Sequence, residues 1–258
     1  WVRIWVVTII LVAVGVGAWE LMVRGAGLGP AHVDNKTLWA DTRHQLNRQG
    51  GNSIVLLGGS RMQRAVDVQT LSSRFERPVF QLAIEGSSYL PVLEDLAVDP
   101  RVSGTIVVSV APILTFNREL TQLDNGRQAR YVENYRTQSL SRRLEQKITL
   151  FLQEHLALRS PLAHPPSVIS EILGTGKMPE PDYKTVFRDR VVHMDLDRIP
   201  ASQDDDVIAA MYDDHAAPYS EAEFDPVVNY IRTLVDMLRT KGASVYFVRL
   251  PTAGAVRE

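Results

Sequence analysis

Three short runs of aliphatic and β-branched residues, each stopped by glycine or proline and separated by helical spacing, constrain this chain more than any other feature. Ile54-Val55-Leu56-Leu57 stops at Gly58-Gly59, Val79 to Ile84 stops at Glu85-Gly86, and Thr105 to Val110 stops at Ala111-Pro112. Helical patterns at Val66 to Phe75 and Tyr89 to Val98 fill the gaps. This alternation implies βαβ units and a parallel sheet covered on both faces. A fourth run, Ser244 to Leu250, follows a helix that the capping box Ser220 to Glu223 opens and Gly242 closes. Within that helix Phe224, Val227, Val228, Ile231, Leu234, Val235 and Leu238 recur at three- and four-residue spacing. The expected fold is α/β, a doubly wound parallel sheet with its strands in the order second, first, third, fourth.

Ile4 to Val23 (IWVVTIILVAVGVGAWELMV) carries a single charge, Glu20. A run of roughly 20 apolar residues matches the hydrocarbon thickness of a bilayer. Arg3 and Arg24 flank it, and Trp1, Trp5 and Trp19 stand where interfacial aromatics belong. A signal peptide has a shorter apolar stretch and a small-residue cleavage site, so residues 1–24 read as a single-pass anchor. Residues 25–52 read as a juxtamembrane linker, with GAGLGP as a flexible exit, followed by a helix over Lys36 to Gln49. Residues 53–258 read as the α/β domain. It is interrupted at 113–217 by a mostly helical insertion, expected to lie over the carboxyl ends of the strands and outside the core. Within it, Leu140, Leu144, Ile148, Phe151, Leu152 and Leu156 share one side of a helix.

Lys and Arg number 28 against 30 Asp and Glu, so no basic excess points to nucleic acid. The absence of cysteine excludes thiolate catalysis, disulfides and iron–sulfur clusters. The chain starts at Trp1 rather than Met and stops in Ala255-Val256-Arg257-Glu258, which reads like the opening of another element. A fragment cut at both ends is expected.

The sharpest chemical feature is Gly58-Gly59-Ser60-Arg61-Met62, directly after the first strand. It is neither a Walker loop nor a Gly-x-Ser-x-Gly elbow. A serine at this strand-to-helix turn reads either as a helix N-cap or as a nucleophile whose alkoxide the helix amides favour. Arg61 reads as a holder of an anionic substrate group or as a helix-surface charge. The histidines lack metal-ligand spacing, so no metal and no cofactor is expected. His193 and His215 have carboxylates nearby, and Asp195 could share a strand face with His193. Asp204-Asp205-Asp206 reads as a solvated loop or a cation site, and Arg142-Arg143-Lys147 as a solvated helix face.

The order of these blocks, IVLLGGSRMQRAVD after the first strand and AIEGSSY after the second, resembles the SGNH, or GDSL-like, hydrolase superfamily. Behind an apolar N-terminal segment it is most similar to membrane-anchored members that accompany membrane-bound O-acyltransferases in cell-envelope polymer modification. The resemblance covers roughly residues 53–112 and 220–250. It implies an SGNH/flavodoxin-like sheet, with Ser60 as nucleophile and the Ser60 and Gly86 amides as oxyanion donors. The third block departs from the family pattern: there is no Gly-x-Asn-Asp, and only Asn117 lies nearby. No Asp-x-x-His block follows the fourth strand, and it is expected past Glu258.

Two functions follow from that resemblance. One is an extracytoplasmic, membrane-anchored acyl esterase or acyltransferase acting on a cell-envelope polysaccharide or other polymer. The other is a non-catalytic accessory subunit that docks a membrane-bound O-acyltransferase or binds glycan.

Overall fold

The computed structural model describes residues 1–116, 126–198 and 221–251. Its centre is a four-stranded parallel sheet formed by β1 (Ile54–Leu57), β2 (Val79–Gln81), β3 (Gly104–Ser109) and β6 (Ala243–Val248), in the order β2-β1-β3-β6. Ile54 is level with both Val79 and Thr105, and Gly104 with Ala243. The expected order and direction of the strands hold. β2 is shorter than its apolar run, yet Leu82 continues to donate to Leu56 O of β1 and Ile84 to Gly58 O just past it.

Each face of the sheet is covered. Val55, Leu57, Ile106 and Val108 pack with α2 (Lys36–Gln49), α5 (Leu90–Val98), α7 (Arg127–Arg136) and α10 (Glu221–Thr240). Ile54, Leu56 and Val79 pack on the opposite side with Met62 of α3 (Ser60–Ala65) and Val68 of α4 (Val68–Phe75). Alternate residues of one buried strand therefore serve two cores, which is why the run reads as continuously apolar. Trp39 of α2 is fully buried and donates its indole N–H to Leu82 O at 3.0 Å. Lys241, just past α10, donates to the carbonyls of Leu96, Ala97 and Asp99 at 2.7–2.8 Å and closes the C-terminal end of α5.

Residues 113–217 are not confined to the outside of the core. Val132 and Tyr135 of α7 belong to it, and so does Val191, next to the antiparallel hairpin of β4 (Lys184–Val186) and β5 (Val192–Met194). Arg190, in that hairpin's turn, is fully buried. It donates to Gln81 O at 2.7 Å and Ala83 O at 2.9 Å, and to Asp34 Oδ1 at 2.7 Å. Leu82 and Ile84 face β1, so Gln81 and Ala83 face outward from the sheet's edge. One guanidinium thus answers edge carbonyls that a further strand would otherwise pair.

The N-terminal helix α1 (Val2–Gly25) is the only helix among the described residues long and apolar enough to cross a membrane, and its side chains are exposed up to its last turns. There it docks. Glu20 accepts from the amides of Ala157 and Leu158 at 3.1 and 2.8 Å, Trp19 donates to Ala163 O at 2.9 Å, and Arg24 to His155 O at 2.8 Å. The segment after it is not a flexible exit, because Leu28 packs with Val23, Ala157 and Val168, and His32 N donates to Val186 O.

Candidate functional site

Strand order decides where the site can form. The chain leaves β1 for β2 on one side and then crosses back over β1 to β3, with α3 and α4 on one face and α5 on the other. The helices reached from β1 and from β3 therefore lie on opposite faces, and ligands of open α/β sheets bind at such a switch point. Gly58-Gly59-Ser60 stands there. Gly58 has φ +144°, and a Cβ on it would meet Ser109 Cβ at the end of β3 at 2.8 Å. Both the dihedral and the approach of the two strand ends require glycine.

Gly59 is the N-cap of α3, so Ser60 is its first helical residue and not the cap. A Cβ on Gly59 would stand 3.2 Å from Leu114 Cδ1, in α6 (Pro112–Phe116), and 3.8 Å from Ser87 O, in the loop after β2. Tyr89 ties the same two segments together: burial pushes its phenol up to about 12, against the opposing hydrogen bond with Thr115. The segments following β1, β2 and β3 thus converge beside Ser60. Met62 N donates to Gly59 O, while the amides of Ser60 and Arg61 have no acceptor within the helix.

The Ser60 side chain is half-buried and hydrogen-bonds to nothing among the described residues. Arg61 is also half-buried, and its Nη1 is buried without an acceptor among the described residues. Gly86 is exposed with φ +62°, and open space lies where its Cβ would stand. Glu85 beside it pairs with Arg64, and its carbonyl accepts from Arg127. A cleft of about 460 Å³ lies beside Asp41, His44 and Tyr135, and one of about 400 Å³ beside His32 and Glu85; Ser60 lines neither.

The histidine candidates fare differently. His193 is exposed on β5, edge-on to Phe187 with ring centroids 5.6 Å apart. Asp195 does not orient it, because its oxygens take Asp197 N and the Arg198 guanidinium. Asn117, His215 and Asp204 to Asp206 lie outside the described residues.

Comparison with family models, with curated proteins and with solved structures finds no match. The site's chemistry therefore rests on its geometry.

Sequence reasoning missed Arg190, Asp34 and the buried Gln63, whose Nε2 donates to Asp34 Oδ2 at 2.6 Å. Together they fasten α3, which carries Ser60, to the segment leaving α1 and to the hairpin. The only local signal was Gln63 at a position that packs inward beside Met62.

Proposed function

We propose that this chain is a membrane-anchored acyl esterase or acyltransferase of SGNH type, with α1 in the cytoplasmic membrane and the α/β domain outside the cytoplasm. The observation that carries the proposal is the convergence of three post-strand segments on Gly59-Ser60, with the Ser60 hydroxyl unpartnered at a switch point. In this reading Ser60 Oγ attacks an acyl carbonyl carbon and gives up its proton to a base. The Ser60 and Gly86 amides hold the resulting oxyanion. Collapse expels the alcohol and leaves an acyl-serine, which water or an acceptor hydroxyl on an envelope polysaccharide then resolves. Arg61 and Asn117 are the substrate-binding candidates, Arg61 through the free Nη1 that an anionic group would satisfy.

A second reading has one observation in its favour: no histidine hydrogen-bonds to Ser60 among the described residues. The same turn would then serve an accessory subunit of a membrane-bound O-acyltransferase or a glycan-binding protein. Polymer acylation measured in cells carrying Ser60→Ala separates the two readings. The enzyme reading expects near-complete loss at unchanged protein level, and undiminished acylation moves the assignment to the accessory role. Protease accessibility in spheroplasts tests orientation, since protection of everything after Gly25 would refute an extracytoplasmic domain.

A further inference from the structure

Helix α8 (Leu140–His155) is amphipathic in the wrong sense for a protein core. It turns Gln146, Leu150 and Gln153 inward, where Gln146 donates to Thr37 O at 2.7 Å. The apolar stripe faces out: Leu140 is 82% exposed, Leu144 61%, Ile148 51% and Phe151 59%. These four positions follow one another at four-, four- and three-residue intervals, so they form a single line along the helix. In α9 (Pro165–Thr175) Val168 is buried while Ile169, Ile172 and Leu173 are exposed. Two helices consecutive in the chain thus present largely exposed apolar stripes, of which Phe151 stacks only on His155 of its own helix and Leu140 and Leu144 border the cleft beside Asp41 and His44.

The seat of α1 identifies what covers them. His155 at the end of α8, Ala157 and Leu158, and Ala163 just before α9 all hydrogen-bond to Trp19, Glu20 or Arg24. Those three residues occupy the last turn and a half of α1, a depth of roughly 8 Å. If α1 spans, the end of α8 and the start of α9 lie at the level where hydrocarbon gives way to headgroups. Exposed Lys147 and Arg143 flank the α8 stripe, where their long stems can reach outward to phosphates, and Glu154 is the acid on that flank. An amphipathic helix with its apolar face outward and cations at its margin suits the membrane interface.

We infer that α8 and α9 lie on the surface of the bilayer that α1 crosses, their apolar stripes immersed among the lipids. The inference rests on the reading of α1 as a span, and makes the α8–α9 face, in addition to the anchor, fix how the domain stands on the membrane. An amphiphilic or membrane-linked acyl substrate would then meet a domain of fixed orientation.

These 258 residues hold no cysteine, so single-cysteine variants of this chain can carry an environment-sensitive fluorophore without background. The probes go at Val12, Leu144, Phe151, Leu173 and Phe75, in nanodiscs of phosphatidylcholine and phosphatidylglycerol containing nitroxide-labelled lipid. The expected result is blue-shifted emission and strong loss of intensity to the lipid nitroxide at Val12, Leu144, Phe151 and Leu173. Phe75, an exposed aromatic on α4, should instead be quenched by aqueous iodide. Lipid quenching at Val12 with iodide quenching at the α8 and α9 positions overturns the inference and leaves the span standing. Protection of those positions from both quenchers overturns it in favour of a protein partner or a second copy. An unquenched Val12 removes the span and the inference together, and lipid quenching at Phe75 would show non-specific adsorption and overturn it as well.

Discussion

Arg43 and Arg61 both put guanidinium nitrogens out of reach of water, and they differ in how the fold answers those nitrogens. Arg43 is fully buried, and each end of its fork is answered: Nε by Asp95 at 2.8 Å, Nη2 by Asp99 at 2.9 Å, and Nη1 by Asn47. It also lies 4.9 Å from the centre of the Tyr135 ring, joining α2, α5 and α7. Arg61 stands beside Ser60 with a buried Nη1 that no described residue answers. Arg77 Nε, Arg188 Nη1 and His32 Nδ1 are likewise buried without a partner among the described residues, so what sets Arg61 apart is its place beside Ser60 at the switch point.

The largest effect expected from this contrast is on the scaffold side. Arg43→Met leaves Asp95 and Asp99 without their buried partner and should cost ~3–5 kcal/mol in denaturant unfolding. A loss below ~1 kcal/mol would mean the network is not structural. Next comes Gly58→Ala, which must hold φ +144° and push against Ser109, at a cost of ~1–3 kcal/mol and with the Ser60 turn displaced. Gly86→Ala, in open space, bears only the dihedral penalty of ~1–2 kcal/mol. Equal losses at the two glycines would contradict the close approach of β1 and β3.

Acid should act through the scaffold as well. Burial, reinforced by the Arg188 charge, holds the His32 imidazole below its ordinary value against Gln153, Glu154 and Asp189. Burial lowers His44 likewise, against its bond with Gln138. The unfolded chain therefore binds protons first, and stability should fall as pH drops below the ordinary histidine value of about 6.5. Replacing both with Asn should flatten that part of the melting-temperature profile. Asp99 contributes lower down: burial would raise its carboxyl, but Arg101 and Arg43 hold it well below the usual range. Its stabilisation is present above the unfolded value and is lost as pH falls toward the depressed one.

The smallest stability effects belong to the site. Among the described residues Ser60 caps nothing and Arg61 Nη1 bonds nothing, so Ser60→Ala and Arg61→Met should each shift stability by no more than ~0.5 kcal/mol. A much larger loss from Arg61→Met would place Arg61 with Arg43 in the scaffold.

The same division explains what could be read from the chain beforehand. The strands and the Ser60 turn were legible because short buried strands and Gly-Gly stops are local signals, and the strand order because right-handed βαβ crossovers leave few topologies open. α7 was not, since RQARYVENYR offers few apolar residues and its burial comes from Val132 and Tyr135 meeting α2 and α5. The carboxylate partners of Arg43 and Arg190 lie 52 to 156 positions away, beyond any spacing rule. The α8 stripe was visible as a stripe, but periodicity does not say whether a stripe faces a core or a membrane.

The central claim, that the Ser60 turn is an acyl-transfer site rather than a structural turn, is tested most directly by labelling the intact, membrane-inserted protein with a fluorophosphonate probe. The account predicts stoichiometric labelling that Ser60→Ala abolishes while melting and denaturant midpoints stay unchanged. Absence of labelling, or labelling that survives in the folded Ser60→Ala protein, would contradict it.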